Sequence, residues 1–169
     1  MATIYLIRHG QASFGAEDYD KLSELGCRQA SVAGEYLAEC GIVFDAIYSG
    51  DLLRQRETAQ LATASQPAAL ELQIDPRFNE IQNDQQLKYL VPEVIKTNPV
   101  VQSLMERGLS NSKDYQKVID AVFNYWVSPE CDDPRIQSWA DYSGGVRQAL
   151  HDVMVEQGGG KTVGIFTSG

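Results

Sequence analysis

Few of the residues that mark metal centres, disulfide frameworks or membranes occur in this sequence. The chain of 169 residues holds two histidines, His9 and His151, and three cysteines, Cys27, Cys40 and Cys131. The cysteines are odd in number and scattered, form no Cys-x-x-Cys step and pair with neither histidine. Neither a disulfide framework nor a metal site is expected from them. Reduced thiols of this kind suit a cytoplasmic protein. No apolar run approaches the length of a membrane span, so no membrane partner is expected. The N-terminus opens on a strand pattern rather than on a charged region followed by an apolar one, and no signal peptide is expected. Basic residues are scarce as well: 14 Lys and Arg stand against 23 Asp and Glu, a formal net charge of -9. That balance argues against a nucleic-acid partner, which needs a basic patch. It also makes any gathering of arginines more informative.

What is present is an ordinary globular composition, 43% hydrophobic and 22% charged, at a length that suits one domain with a sizeable core. Ile4–Gln11 reads as a short apolar strand, of the kind buried in a parallel sheet. Leu22–Gly41 reads as a helix with Ser23 as N-cap, Ala30, Ala33, Tyr36 and Leu37 on one face, and Gly41 as its stop. Phe44–Ser49 gives a second strand, and Asp51–Ala64 a helix with Asp51 in the first turn. Leu70–Ile74 is a weaker strand, ended by Asp75-Pro76. From Ile81 to about Trp139 no strand pattern appears. This stretch carries Pro92, Pro99, Pro129 and Pro134, and is helical in pieces such as Tyr115–Val127. We read residues 81–140 as a helical insertion or cap over the sheet edge of a single domain, 1–169, with Trp126 and Trp139 as core anchors. A helix from about Ser143 to Gln157, a triple-glycine turn and the strand Thr162–Thr167 complete the pattern.

Alternating strands and helices of these lengths predict an α/β fold with a mainly parallel central sheet flanked by helices. A parallel strand is normally followed by a helix that covers it. Nothing remains to cover Thr162–Thr167, so the fold is expected to be truncated at its C-terminal end. Its last strand should then expose an apolar face, which a homodimer would cover.

The first strand runs into Arg8-His9-Gly10. Ligands of open α/β sheets bind beyond the carboxyl ends of the strands. A fixed cation, a histidine and a glycine that allows close backbone approach point there to chemistry on an anion, most simply a phosphate. The same residues also read as a solvated strand end. Arg54 falls in the first turn of the helix after the second strand, where free N–H groups favour an anion. Arg8 and Arg54 are thus placed to converge on one phosphate. A solvated helix arginine is the alternative for Arg54.

Three stretches, Leu6–Gly10, Leu22–Ala30 and Ser49–Ala59, taken in this order and spacing, resemble the histidine phosphatase superfamily, the phosphoglycerate mutase-like fold. The resemblance covers residues 1–80 well and 141–169 loosely. It implies that His9 attacks phosphorus and becomes a phosphohistidine. Arg8, Arg54 and Gly10 would bind the phosphoryl group, and Glu80, in Arg77-Phe78-Asn79-Glu80, would protonate the leaving oxygen. It implies no metal or other cofactor, and phosphate or a phosphorylated small molecule as partner.

Two positions depart from the family's pattern. Ser168 stands where members carry a second histidine, and it becomes a candidate phosphate contact. Gly15 stands where many members have asparagine. His151 falls inside a helix pattern and does not replace the missing histidine. Arg147 matches a helix arginine of the family without a catalytic role. A phosphomonoesterase working through phospho-His9, weakened by Ser168, is the expected function. The alternatives are a phospho-ligand binding or regulatory protein that has lost turnover and, ranked lower, a phosphoglycerate mutase. Selectivity is expected from Ile81–Trp139 and from Gln11–Asp20, with Phe14, Tyr19 and Lys88 as candidate contacts.

Overall fold

Short segments rich in Ile, Tyr, Val and Thr form a parallel sheet in the computed structural model, which describes residues 2–13 and 20–168. Its strands are β1 (Thr3–Arg8), β2 (Ala46–Ser49), β3 (Leu72–Ile74) and β4 (Thr162–Thr167), in the order β1-β4-β2-β3. The chain divides into two compact units, Met1–Glu80 with Gly145–Gly169, and Ile81–Gly144. Among the described residues no helix is long and apolar enough to cross a membrane.

The first unit is an α/β fold. Helices α1 (Glu24–Glu39) and α2 (Leu53–Thr63) cover one face of the sheet, and the second half of α6 (Trp139–Gln157) covers the other. Strand β4 is central. Val163 and Ile165 pack with Ala149 and Val153 of α6, while Phe166 packs with Ala59 and Ala62 of α2. This corrects the expectation of a bare last strand: the helices that bury β4 precede it in the chain. The strand that is partly open is β1, at the sheet edge, where Leu6 is 63% exposed.

Helix α1 starts where expected, with the Ser23 hydroxyl accepting from Gly26 N at 3.0 Å. Its inner face differs from the apolar reading. Gly26, Ala30 and Gly34 are buried, whereas Tyr36 is 64% exposed. Small residues win because α1 lies against neighbouring backbone, where a ring would not fit. A Cβ on Gly34 would come within 2.2 Å of the Ala62 carbonyl oxygen. Asp51, expected in the first turn of α2, lies before that helix.

The second unit consists of α3 (Asn83–Thr97), α4 (Pro99–Arg107), α5 (Ser112–Trp126) and the start of α6. Its core gathers Leu90, Val94, Val101, Leu104, Val118, Val122 and Trp126. The Trp126 indole N–H donates to Gln137 O at 2.8 Å. Trp139 meets that ring edge-on but is 39% exposed, so only Trp126 is a true core anchor.

The α1–α2 contact predicts a sign difference between two glycines. Gly34→Ala should lower stability by about 1–3 kcal/mol through overpacking. Gly144→Ala, inside α6 with nothing within 4 Å of the added carbon, should raise it by about 0.5–1 kcal/mol. Urea denaturation of both variants measures the two changes.

Candidate functional site

Parallel register aligns the carboxyl ends of the strands. Arg8 stands beside Thr167, and Ser49 beside Phe166 and Ile74. His9 N continues the ladder to Thr167 O at 2.9 Å. The residues following each strand, His9-Gly10, Gly50-Asp51, Asp75 and Ser168, therefore emerge at one sheet edge, where α/β folds hold their ligands.

The His9 ring is fixed from two sides. Nδ1 lies 2.7 Å from Gly10 O, and Nε2 lies 3.2 Å from Arg54 Nε. A carbonyl oxygen only accepts and a guanidinium only donates, so these partners select the tautomer with the proton on Nδ1 and the lone pair on Nε2. Gly10 N donates to Thr58 Oγ1 at 3.1 Å, and that hydroxyl donates to Arg54 O at 2.7 Å. The close approach made by Gly10 is to α1: an added Cβ would lie 2.4 Å from Gly26 O. Its lack of a side chain thus serves helix packing in the first place, a use that the sequence reading assigned to a ligand.

Arg54 is buried at the start of α2 and joins distant segments. Its Nη1 donates to Asp20 Oδ1 at 2.6 Å and its Nη2 to Glu80 Oε2 at 2.7 Å. Leu52, the N-cap of α2, offers no capping side chain, and Leu53 N donates instead to Asp20 Oδ2 at 2.8 Å. Asp20 thereby serves both the helix terminus and the guanidinium.

Glu80 follows a 3-10 turn, Pro76–Phe78, that is tied down on several sides. Phe78 is buried, and its carbonyl accepts from Thr167 Oγ1 at 2.6 Å and Gln55 Nε2 at 3.2 Å. Asn79 Oδ1 accepts from Asp51 N at 2.8 Å. Arg77 reaches Asp75 at 2.6 Å and Asp152 of α6 at 2.7 Å. Hydrogen bonding to Arg77 holds both carboxyls below the usual aspartate range.

The structure thus brings His9, Gly10, Arg54 and Glu80 together. Ser168 lies at the same edge, with its Oγ accepting from Gln55 Nε2 at 3.0 Å; among the described residues it makes no hydrogen bond to His9. Arg8 is exposed at the end of β1, next to His9 in the chain. His151 and Arg147 are exposed on α6. The Lys88 ammonium lies over the Tyr89 ring, 5.0 Å from its centroid. Phe14, Gly15 and Tyr19 lie outside the described residues. Sequence reasoning missed Asp20, Gln55, Thr58 and Asn79. A signal existed for two of them: Arg54, Gln55, Thr58, Ala59 and Ala62 form the buried stripe of α2, and its first turns are polar.

Comparison with known proteins bears on the family and the fold. The sequence pattern of the histidine phosphatase superfamily (branch 1) matches residues 4–103. A 2,3-bisphosphoglycerate-dependent phosphoglycerate mutase of Rhizobium johnstonii is 38% identical over 87 residues, 46% of this chain and 40% of that protein. One from Rhizobium etli is 41% identical over 66 residues, 35% of this chain and 31% of its own. The matched stretch therefore spans well under half the length of these curated relatives. Among solved structures, a Bacillus anthracis phosphoglycerate mutase superposes with a TM-score of 0.67 at 22% identity, covering 99% of this chain and 75% of that one. A mycobacterial glucosyl-3-phosphoglycerate phosphatase gives 0.62 at 21%, covering 97% and 72%. These similarities establish the fold.

Two measurements follow from the geometry. Arg54→Lys cannot reach three partners from one ammonium and should cost about 1–3 kcal/mol in urea unfolding. Asp75 and Asp152, with lowered folded-state values, stabilise the fold above about pH 4, and that contribution fades as pH falls further. Arg77→Ala should therefore be less stable than wild type at neutral pH, with the difference shrinking on acidification.

Proposed function

The chain belongs to the histidine phosphatase superfamily, branch 1, and from that membership we propose a phosphoric monoester hydrolase that works through a phosphohistidine on His9. The observation that carries the reading is the setting of the His9 ring. Its Nδ1 faces Gly10 O and its Nε2 lone pair is directed to Arg54, a cation suited to holding phosphoryl oxygens. In the first step Nε2 releases the Arg54 Nε–H hydrogen bond and its lone pair forms the bond to phosphorus as the P–O bond to the leaving group breaks. Glu80, 2.7 Å from Arg54, gives its proton to the departing oxygen. In the second step a water oxygen forms a bond to phosphorus as the P–Nε2 bond breaks and its electron pair returns to the ring, Glu80 recovers a proton from that water, and inorganic phosphate leaves. Positioning and charge carry most of such a reaction.

Arg54 and the first-turn N–H groups of α2 would hold the phosphoryl oxygens, joined by the exposed Arg8 and by the Ser168 hydroxyl. Ser168 takes the place of the family's second histidine in this reading. Its hydroxyl is short and never charged, and loss of one donor of that kind costs about 10²–10³ in rate. Slow turnover is the expected result. The Gln55–Ser168 hydrogen bond favours a second reading, a protein that binds a phosphorylated small molecule without turnover. A phosphoglycerate mutase, the activity named for the Rhizobium relatives, ranks lower, because it must retain its phosphoenzyme and intermediate. The three unbridged thiols support a cytoplasmic setting.

The test is a single-turnover incubation with a radiolabelled phosphate ester. Wild type should acquire an acid-labile, base-stable label, and His9→Ala should acquire none. Hydrolysis without a labelled enzyme would overturn the phosphohistidine. Thermal protection by phosphate with neither label nor hydrolysis would favour the binding reading, and isomerisation without phosphate release would favour the mutase.

A further inference from the structure

We propose that Asp20 is a specificity-determining residue: its carboxylate occupies the donors that a phosphoryl group would use, so that ligands bind by exchange of one anion for another. This rests on the phosphoryl-binding role of Arg54 proposed above. The two carboxylate oxygens engage separate donors, Oδ1 taking Arg54 Nη1 at 2.6 Å and Oδ2 taking Leu53 N at 2.8 Å. Two oxygens on one centre, spanning a guanidinium and a helix N-terminus, reproduce what a phosphoryl group would do there. The helix, of 11 residues, brings no capping side chain of its own, so these donors belong to whichever anion is present.

The two partners differ in their freedom to separate. The Arg54 side chain is 8% exposed and also bound to His9 and Glu80, whereas the Asp20 side chain is 39% exposed. Asp20 can therefore swing into water while the guanidinium stays. A singly charged anion that displaces it merely replaces one negative charge with another at the same donors. A doubly charged phosphate monoester adds charge and a further oxygen, so it gains where a carboxylate or a phosphodiester does not. Asp20 would thus set a threshold that admits dianions and rejects monoanions. It would also reduce apparent affinity for every anion by the fraction of molecules in which it holds the donors.

The experiment measures binding of inorganic phosphate and of dimethyl phosphate, a monoanion, by calorimetry to wild type, Asp20→Asn and Arg54→Ala. Asp20→Asn should bind phosphate roughly tenfold or more tightly, with a still larger gain for dimethyl phosphate, so that discrimination narrows. Affinity that is unchanged or weaker would overturn the proposal and leave Asp20 as a structural clasp. Phosphate binding to wild type that Arg54→Ala abolishes, without a gain in Asp20→Asn, would defeat this inference alone. Absence of phosphate binding from wild type and Asp20→Asn alike would defeat the functional reading as well. Should Asp20→Asn fail to fold, NMR on wild type decides. Phosphate should shift the Leu53 amide and the Asp20 carboxyl carbon together, and a carboxyl carbon that stays still would overturn the exchange.

Discussion

Arg54 is where separate stretches of the first unit meet, and the geometry of the sheet edge depends on it. A guanidinium cannot give up its charge, so burying one requires anionic or polar acceptors at every face. Here they come from three distant segments: Asp20 before α1, His9 after β1 and Glu80 after the 3-10 turn. Removing any one of them would leave the cation under-solvated, and removing the cation would leave carboxylates facing one another. That mutual dependence explains why the candidate nucleophile and the candidate acid are held by the same residue. It also explains why the first turns of α2 are polar although they face inward. Gln55 and Thr58 fix neighbouring backbone, at Phe78 and Gly10, so the arginine projects from a framework that is itself hydrogen-bonded.

Close backbone packing sets the distances at which these groups meet. Gly10 and Gly26 bring the end of β1 against the first turn of α1, and Gly34 brings α1 against α2. Gly50 lies where a Cβ would strike the amide of Gln55 and the side chain of Asn79. Gly10, Gly26 and Gly50 remove spacers between strand ends and helices, and Gly34 one between two helices, so the residues just after β1 and β2 sit beside the start of α2.

Sheet strands and helix starts were legible where the signal is local. Ile4–Ile7 reads as a strand because its residues suit a pleated surface, and Ser23 marks α1 because its hydroxyl caps the helix three residues on. Non-local effects were not legible. The cap of α2 comes from Asp20, 33 residues away, so its start could not be placed from Leu52 and Asp51. Strand order is equally non-local. Thr162–Thr167 read as the uncovered end of the fold, yet it is an interior strand, and the helices that bury it come earlier in the chain. Tyr36 misled because an apolar stripe was sought where small residues were required. Asp20 and Asn79 are ordinary loop residues until folding gives them partners.

The net charge of -9 has little effect at the sheet edge. At physiological ionic strength the screening length is about 8 Å, so carboxylates elsewhere on the surface contribute little at the sheet edge. What an approaching anion would meet is local: Arg54 between Asp20 and Glu80, with the exposed Arg8 next to His9 in sequence. One arginine between two carboxylates is not a positive funnel, and long-range steering would do little for binding. Under the proposed function, affinity would then come from short-range donors aligned by the start of α2, and from withdrawal of the Asp20 carboxylate that occupies them.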